Sequence, residues 1–399
     1  MSTVKLAENV YSVGVKDPKL EIFDIIMPTK NGTTYNAYLV VGEEKTALID
    51  TVKKPFLDEF FANIAEIMPP EKIDYLVVNH NEPDHSGGVQ AMLDKNPNLK
   101  IICGAPAMPF LKNIINREAD IEGVKDGHLL DLGGKTLTFK GMPYMHWPDT
   151  MMEFLAEDGI LFSNDGFATH LSSDTIWADE ITGVLEDEFY YYWDVIMRPW
   201  AGFARKNLEK LDDFDIRMIA PSHGPVFRRN ARARIDKYKE WAADKSEGQN
   251  NVALFYVSNY GNTTVLAETL AAELTAKGFT CTPTNLIGCK AEHARVMIES
   301  SNAIVIGTPT FNGDSVKPVW DLVNLFATVD RMGKKAAVFG SYGWGGEGIK
   351  LVAERLAGLK LKVYEENYRA RLVPSDDELS ELRDYAGKLA EFFAAGKKK

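Results

Sequence analysis

The sequence has little cysteine, no long apolar run and no excess of basic charge, and each absence excludes a class of protein. Cys103, Cys281 and Cys289 are too few and too scattered for a disulfide framework, which favours a reducing cytoplasm. No run of about 18 apolar residues is present, so no transmembrane helix is predicted. The first residues lack a basic segment followed by an apolar core, so no signal peptide is predicted. A net charge of −12 should repel nucleic acid.

The chain has the composition of a folded protein with two or three domains. It contains 399 residues, of which 45% are hydrophobic and 26% are charged. Residues 243–251 are polar and separate a helix-like segment at 231–243 from the apolar run VALFYV. We therefore predict a linker there, with domains at 1–249 and 250–399. Residues 251–399 carry 18 basic and 17 acidic side chains, so the negative charge falls almost entirely on the first domain.

Short apolar strands alternate with helices throughout the second domain. The predicted strands are 252–257, 279–286, 302–309, 335–342 and 360–368, and the predicted helices are 263–277, 291–300, 316–329, 348–359 and 375–396. This alternation predicts a doubly wound, parallel, five-stranded sheet of the α/β class. The first domain is rich in short β-like segments with helical stretches such as 54–67 and 88–95 between them. It is predicted to be an α+β or a layered α/β domain.

Four potential metal ligands occur within six residues, directly after the predicted strand DYLVVN. They are His80, Glu82, Asp84 and His85. Two imidazoles and two carboxylates at this spacing would repel and desolvate one another without a cation. Three further candidates lie in loops and turns later in the chain; they are His146, Asp165 and His223. The sequence therefore predicts a metal site in the first domain.

Seven ligand side chains suit two metal ions better than one, with one carboxylate shared between them. Asp165 is the natural bridge, since it follows the first ligands of both clusters. No cysteine takes part, and mixed imidazole and carboxylate ligation with an open position is characteristic of non-haem iron. Zinc could use the same ligands, although it favours His and Cys. The residues alone leave both metals open.

Three loops that follow predicted strands of the second domain have the composition of a flavin site. Small hydroxyl residues before a helix form a cradle for phosphate, Gly and Asn let the backbone approach a planar ring, and aromatic rings can stack on it. The candidate residues are Ser258, Asn259, Tyr260, Gly261, Asn262 and Thr263, then Pro309, Thr310, Phe311, Asn312 and Gly313, and finally Ser341, Tyr342, Gly343, Trp344, Gly345 and Gly346. Together these loops resemble flavodoxin, which binds FMN.

The ligand pattern His-x-Glu-x-Asp-His, with later His, Asp and His, resembles the metallo-β-lactamase superfold. Hydrolytic members of that superfold usually carry His where this chain has Glu82. The Glu form resembles the flavodiiron proteins, also called A-type flavoproteins. The strings GTTYNAYLV, DYLVVNHNEPDHSGG, MHWPD, LFSNDGF and APSHG are similar to the same family, so the resemblance spans essentially the whole chain. It implies an N-terminal αββα sandwich and a C-terminal flavodoxin-like domain.

The resemblance also implies an activity and an arrangement of ligands. It implies reduction of O₂ to water, of NO to N₂O, or of both, at a diiron site that receives electrons through FMN. The implied ligands are His80, Glu82 and His146 for one iron and Asp84, His85 and His223 for the other, with Asp165 bridging. In some members the residue that matches His85 turns away from the metal. His170, Tyr191 and Tyr192 are candidates to orient or protonate the bound gas, with ordinary packing as the alternative.

The implied partners follow from the same resemblance. It implies a head-to-tail homodimer, or a dimer of such dimers, in which the flavin of one chain faces the iron pair of the other. No Cys-x-x-Cys pair is present, so the electron donor is expected to be external, either rubredoxin or a reduced deazaflavin coenzyme. Two other classes of protein stay open. Glu82 argues against a zinc hydrolase fused to a flavodoxin, and the complete ligand set argues against a pure electron carrier.

Overall fold

The chain consists of two compact units that divide between Ala242 and Ala243. The structure is a computed structural model that describes residues 3–395. The predicted boundary, after residue 249, lies seven residues beyond this division. The polar stretch that follows Ala242 is held by the second unit, because Asn302 Nδ2 donates to the Ser246 carbonyl at 3.0 Å. Among the described residues, no helix has both the length and the apolar character needed to cross a membrane.

The described part of the first unit contains two main sheets and seven α-helices. Its strands are β1 (Val4–Ala7), β2 (Val10–Ser12), β3 (Val15–Asp17), β4 (Ile22–Phe23), β5 (Met27–Pro28), β6 (Thr33–Tyr35), β7 (Tyr38–Val41), β8 (Thr46–Ile49), β9 (Tyr75–Val78), β10 (Lys100–Gly104), β11 (Ile121–Val124), β12 (Leu129–Asp131), β13 (Thr136–Gly141), β14 (Met151–Leu155), β15 (Ile160–Asn164) and β16 (Met218–Pro221). Its helices are α1 (Leu57–Ala65), α2 (Pro83–Ser86), α3 (Val89–Lys95), α4 (Met108–Ile115), α5 (Leu185–Tyr192), α6 (Ala201–Leu208) and α7 (Ala231–Ala242). The sheets have the orders β1-β2-β7-β8-β9-β10-β11 and β12-β13-β14-β15-β16, and the small pairs β3–β6 and β4–β5 stand apart.

Alternating side chains along the strands build the layers of this unit. Leu39 and Leu48 pack with the apolar side chains of α1, α3 and α4. Their neighbours Val40 and Ile49 pack instead with the side chains of the five-stranded sheet. Successive strand residues point to opposite faces, so one face of each sheet contacts the other sheet and the opposite face contacts helices. The predicted αββα sandwich is confirmed.

The carboxyl ends of several strands in the two sheets carry the candidate metal ligands. Strands β8, β9 and β10 are parallel to one another, and residues 80–85 begin two residues beyond the end of β9. In the other sheet β15 and β16 are parallel, with Asp165 directly after β15 and His223 two residues beyond β16. Because parallel strands end at the same edge, the loops after β15 and β16 leave the sheet side by side.

The second unit is a doubly wound parallel sheet with helices on both faces, as predicted. Its strands are β17 (Asn251–Tyr256), β18 (Thr280–Asn285), β19 (Ala303–Pro309), β20 (Lys335–Tyr342), β21 (Lys362–Val363) and β22 (Tyr368–Arg371), and its helices are α8 (Asn262–Ala276), α9 (Ala291–Glu299), α10 (Lys317–Leu325), α11 (Glu347–Gly358) and α12 (Asp376–Ala394). Leu254 packs with α8 and α12, whereas the adjacent Phe255 packs with α9, α10 and α11. The strand order is β18-β17-β19-β20, with both β21 and β22 beside β20.

The fifth strand differs from the prediction. The prediction of a single strand at 360–368 is wrong, because the chain leaves the sheet between β21 and β22 and then pairs with β20 again. Glu365 and Glu366 occupy this break and are exposed, and the Glu366 carbonyl accepts a hydrogen bond from the Tyr385 hydroxyl at 3.0 Å. Charged side chains at the break keep that stretch in solvent, so the sheet has six strands in five positions.

Helix α12 begins with a capping box whose contribution can be measured. Ser375 Oγ accepts from the Glu378 N–H at 3.2 Å, and Glu378 Oε2 accepts from the Ser375 N–H at 2.8 Å. Ser375→Ala should weaken the first turn by about 1 kcal/mol, which corresponds to roughly fivefold faster amide exchange there. Hydrogen exchange read by mass spectrometry on the full chain measures this. The matched variant Ser380→Ala, at an exposed position inside the same helix, should leave the exchange unchanged; equal exchange in both variants would show that the cap contributes nothing.

Candidate dinuclear metal centre and flavin site

All seven predicted ligand side chains converge on one site in the first unit, in two groups. The groups are His80, Glu82, His146 and Asp165, and Asp84, His85 and His223. Within each group the candidate ligand atoms lie within 4.8 Å of one another. Five of the seven residues are buried, whereas Glu82 and His146 are partly exposed. The first group therefore lies closer to solvent than the second.

Asp165 belongs to the first group but also faces the second, and it presents one carboxylate oxygen to the histidines of each group. Its Oδ2 is 3.4 Å from His146 Nε2 and 3.6 Å from His80 Nε2. Its Oδ1 is 3.2 Å from His85 Nε2 and 3.3 Å from His223 Nε2. A carboxylate that is shared by two metal ions requires this arrangement. The short distance between His85 Nε2 and Asp165 Oδ1 also shows that the His85 ring faces the site.

The other two carboxylates each face histidines of their own group. Glu82 Oε2 lies 3.0 Å from His80 Nε2 and 3.3 Å from His146 Nε2. Asp84 Oδ2 lies 3.3 Å from His223 Nε2. In each of these histidines the Nε2 atom points into the site, so the nitrogen and oxygen donors of a group can reach the same ion.

The ligand loop owes its shape to a single helical turn. Pro83 occupies the first position of α2, where its fixed φ suits the helix and its missing N–H is not needed. The Glu82 carbonyl then accepts from the N–H groups of His85 and Ser86 at 3.0 and 2.9 Å. Glu82 stands before the turn, whereas His85 lies within it. The turn thereby separates the ligands of one group from those of the other.

The turn at 222–224 brings a second ligand segment to the site. Ser222 Oγ donates to Asp165 Oδ1 at 2.8 Å and fixes the orientation of that carboxylate. Gly224 has φ +77°, and a Cβ at that position would lie 1.9 Å from Thr169 Oγ1. Its N–H donates to Thr34 Oγ1 at 2.7 Å. Only glycine fits this turn, which explains the Ser-His-Gly pattern in the sequence.

A hydrogen bond behind the His223 ring and a carboxylate behind the His80 ring hold these two imidazoles in place. His223 Nδ1 lies 2.6 Å from the Thr34 carbonyl, and since a carbonyl only accepts, Nδ1 carries the proton and leaves Nε2 free. His80 Nδ1 lies 3.5 Å from Asp149 Oδ1. Carbonyl or carboxylate partners of this kind are usual behind metal-binding histidines, where they fix the ring and its tautomer.

Several buried polar atoms of the site have no hydrogen-bond partner in the protein. They include both carboxylate oxygens of Asp84, Oδ2 of Asp165 and both ring nitrogens of His85. Buried polar atoms nearly always have partners, so these atoms call for a bound cation. Four imidazoles and three carboxylates without a thiolate match the donors of non-haem iron, and the residues therefore fit a pair of iron ions.

The electrostatics of the site show the same need for a cation. Burial opposes ionisation of Asp165, but the imidazoles of His85, His146 and His223 hold the pKa of its carboxyl well below the ordinary value. Burial also opposes protonation of the imidazoles, yet the carboxylates raise the pKa of His146 to about 10 and that of His223 to about 9. Protons and metal ions therefore compete for the same nitrogen atoms.

His170 lies beside the site, as the sequence suggested. Its ring centroid is 5.6 Å from that of His223 and 4.3 Å from that of Phe23. His170 Nδ1 is 3.2 Å from Thr33 Oγ1, whereas the buried Nε2 has no partner. Burial lowers the pKa of His170 to about 3, so its imidazole is neutral.

The two candidate tyrosines of α5 point in different directions. The Tyr192 ring is buried and lies 4.8 Å from the His170 ring. The Tyr191 hydroxyl instead donates to the Pro28 carbonyl at 2.9 Å and so contacts the β4–β5 hairpin rather than the ligands. Successive residues of a helix point about 100° apart, so both tyrosines could not face the site together.

The β4–β5 hairpin adds residues that the sequence analysis did not identify. Phe23 packs on His170, as described above. Burial and the carboxylates of Glu82 and Asp84 raise the pKa of Asp24 to about 6, which shows that Asp24 lies near these ligands. No ligand spacing or strand alternation marks this segment in the sequence, and no signal there could have revealed its position.

In the second unit, a cavity of about 480 Å³ opens among the loops after β17, β19 and β20. Eleven predicted flavin-loop residues line it: Ser258, Asn259, Tyr260, Asn262, Pro309, Thr310, Phe311, Ser341, Tyr342, Gly343 and Trp344. Val257, Val316 and Leu372 also line the cavity and were not predicted. Leu372 follows β22, which was the part of the sheet that the sequence placed least well.

Six predicted flavin-loop residues lie outside this lining. They are Gly261, Thr263, Asn312, Gly313, Gly345 and Gly346. Gly261 has φ +90° directly before α8, a conformation that suits glycine. Thr263 Oγ1 lies 2.8 Å from Ser341 Oγ and joins the first loop to the third. At least these two residues therefore shape the loops around the cavity.

The cavity fits FMN. Tyr260 and Trp344 are both 88% exposed beside it, and exposed aromatic rings at a cavity suit a planar ligand. Thr310 Oγ1 is buried without a partner, so it is available to a ligand. The 15-residue helix α8 begins at Asn262, which lines the cavity, and its N-terminal N–H groups suit a phosphate.

Two family models match the chain. The model described as ODP family beta lactamase matches residues 33–224, and the Flavodoxin model matches residues 254–385. The first range contains all seven candidate metal ligands, and the second contains all three candidate flavin loops.

Known proteins are similar over the full length. The Flavo-diiron protein FprA2 of Clostridium acetobutylicum is 38% identical, with 99% of both chains covered. The Nitric oxide reductase of Moorella thermoacetica is 32% identical, with 97% of this chain and 98% of the relative covered. The structure of rubredoxin oxygen:oxidoreductase from the anaerobe Desulfovibrio gigas is 30% identical, with a TM-score of 0.67 and 99% of each chain covered. The chain therefore belongs to the flavodiiron proteins, oxidoreductases in which a metallo-β-lactamase-like domain is fused to a flavodoxin domain.

Proposed function

We propose that this chain reduces O₂ to water, NO to N₂O, or both, at a non-haem diiron site, with electrons relayed through FMN. The position of Asp165 carries the proposal, because its Oδ1 faces one ligand group and its Oδ2 faces the other. Relatives named for nitric oxide reduction and for rubredoxin-dependent oxygen reduction support the two gases as substrates. A zinc hydrolase and a pure electron carrier are not favoured, since these relatives are oxidoreductases.

Each ligand has a proposed role. His80, Glu82 and His146 would hold one iron and Asp84, His85 and His223 the other, with Asp165 shared. When bound, the iron pair and FMN each supply two electrons, and the irons supply an open position for the gas.

The chain's own side chains would orient the gas and exclude water. His170 is neutral, and its unpartnered Nε2 can exchange a hydrogen bond with a molecule held beside His223. Phe23 and Tyr192 cover the His170 ring and limit the access of water to it. An enclosed site strengthens each hydrogen bond to the substrate.

The proposed partners are an external electron donor and a second copy of the chain. Rubredoxin or a reduced deazaflavin coenzyme would deliver electrons to FMN, and residues 251–399 repel an acidic donor less than residues 1–250 do. A head-to-tail homodimer, or a dimer of such dimers, is supported by apolar side chains exposed at both sites. Ile25 and Ile26 are exposed on the β4–β5 hairpin, and Trp344 is exposed at the flavin cavity. The three cysteines are free, which supports the cytoplasm as location.

Metal analysis and gas-reduction assays test the function. Two irons per chain would support the proposed function, provided that the chain also reduces O₂ or NO with reduced rubredoxin as the electron donor. These assays are mixed anaerobically before the gas is added. Two zincs with hydrolytic activity would support the hydrolase, and a metal-free chain that only exchanges electrons would support the carrier. The rates with each gas decide the substrate preference.

Asp165→Asn should remove the shared ligand while leaving the shape of the side chain. We expect iron content to fall. Gas reduction should decrease by more than the roughly 10- to 100-fold loss that is usual when a residue hydrogen-bonded to a metal ligand, rather than the ligand itself, is replaced. FMN content should not change, because the flavin cavity lies in the other unit. Asp213→Asn, at an exposed position of the first unit, is the matched control. Full activity of the Asp165 variant would contradict the diiron assignment.

Trp344→Ala should weaken FMN binding by up to about tenfold, the contribution of one aromatic stacking contact. Titration of the apoprotein with FMN and the flavin absorption spectrum measure this, and iron content should remain. Trp344→Phe keeps an aromatic ring and should recover most of the affinity, whereas Phe110→Ala, in the first unit, should have no effect. An unchanged FMN affinity and spectrum in Trp344→Ala would exclude the stacking role.

A further inference from the structure

A buried carboxyl that is not among the candidate ligands lies between the two sheets of the first unit. Glu153, on β14, has no exposed surface. Its strand neighbours are Phe139 on β13 and Phe162 on β15, and both are buried apolar residues. A glutamate is almost never fully buried unless it is paired, so its partners are informative.

The only hydrogen-bond partner of Glu153 among residues 3–395 is an amide. Asn79 Nδ2 donates to Glu153 Oε2 at 3.0 Å, and Oε1 has no partner. No cationic side chain of the described residues lies within ion-pair distance of Glu153. Its titratable neighbour is Asp50, another fully buried carboxyl, while β13 and β15 present Phe139 and Phe162.

Asn79 connects this carboxyl to the metal ligands. Its backbone N–H donates to Asp50 Oδ1 at 2.8 Å, and its Nδ2 lies 3.3 Å from Asp50 Oδ2. Its carbonyl accepts from the Met151 N–H at 3.0 Å. His80 is the next residue in the chain. The position of Asn79 therefore sets the position of the His80 backbone.

Asp50 extends the same network to the bridging ligand. Asn164 Nδ2 donates to Asp50 Oδ2 at 3.1 Å, and Asn164 directly precedes Asp165. The side chain of Asp50 thus accepts three N–H groups, two from Asn79 and one from Asn164. Glu153 accepts one.

Two carboxylates that share one amide in an apolar interior cannot both be ionised at moderate cost. The carboxyl with more donors retains the charge, and this is Asp50. Burial, with the charge of Asp50 added to it, raises the pKa of Glu153 well above its ordinary value. A proton on Glu153 also supplies a missing donor, because Asn79 Oδ1 is buried without a partner.

We propose that Glu153 is a positioning residue for the metal centre: as a protonated acid it pairs with the Asn79 carboxamide through both of its oxygens and so fixes the backbone that carries His80. The carboxyl pair behind the centre then bears one negative charge, on Asp50, instead of two. The effect on iron rests on the proposed function, whereas the protonation of Glu153 does not.

Infrared spectroscopy of the full chain tests the protonation, whether or not metal is bound. At neutral pH the carbonyl band of a protonated carboxyl should be present and should be lost in Glu153→Gln. The matched variant Glu118→Gln, at an exposed position of the same unit, should keep the band. A band whose intensity is unchanged in Glu153→Gln would show that Glu153 is ionised and would overturn the proposal.

Iron binding and the Mössbauer spectrum of the iron-loaded protein test the positioning. Gln has both a donor and an acceptor, so Glu153→Gln should keep iron affinity and both iron signals. Glu153→Leu leaves one N–H group and the oxygen of the Asn79 carboxamide without a partner, so it should lower iron affinity by about 10- to 100-fold and shift the signal of one iron. If Glu153→Leu leaves both unchanged, or if Glu153→Gln loses as much affinity as Leu, the proposal fails. Should Glu153→Leu not fold, as judged by far-ultraviolet circular dichroism and by protease resistance of the first unit, the Glu153→Gln results alone decide.

Discussion

Three carboxylates and four imidazoles share one largely buried site, and this concentration of polar groups constrains the rest of the first unit. Ionised side chains are costly to remove from water, and Asp84 and Asp165 retain oxygen atoms with no protein partner. A pair of cations would resolve the conflict, because each ligand group would then surround a positive charge. Without them the same side chains hold protons, as the raised pKa of His146 and of His223 indicates. Metal binding and the stability of this region are therefore coupled.

The sandwich supplies the rigidity that such a site needs. The ligands do not come from one flexible loop. Six of them follow β9, β15 and β16, strands of two sheets that pack on a common apolar core, and His146 lies between β13 and β14. Behind them lies a second polar layer. In it Asp50 accepts hydrogen bonds from Asn79, which precedes His80, and from Asn164, which precedes Asp165. Burying a carboxylate there is tolerated because it accepts three N–H groups. The same layer explains why a strand of the core contains Glu153, where an apolar residue would otherwise be expected.

The chemistry of both sites could be predicted from the sequence, since it depends on local patterns. The cluster at residues 80–85 is improbable without a metal, and the flavin loops follow regularly spaced strands. What could not be predicted depends on contacts between distant segments. Tyr191 and Tyr192 are equivalent in sequence, and only the rotation of α5 decides that one faces His170 and the other Pro28. Leu372 reaches the flavin cavity because the fifth strand is interrupted, and Phe23 reaches the metal site on a two-residue strand that has no periodicity.

The two sites meet opposite physical demands, which explains their separation into two units. The candidate metal site is largely buried, and Phe23 and Tyr192 beside it limit the access of water. The flavin site is open to solvent, because its aromatic residues Tyr260 and Trp344 are exposed, and an external electron donor could reach it there. The charges follow the same division. The first domain is acidic and carries the candidate metal ligands, whereas residues 251–399 are nearly neutral and would repel an acidic donor less. An acidic donor of the kind proposed above would therefore approach the flavin domain at a lower electrostatic cost than the first domain.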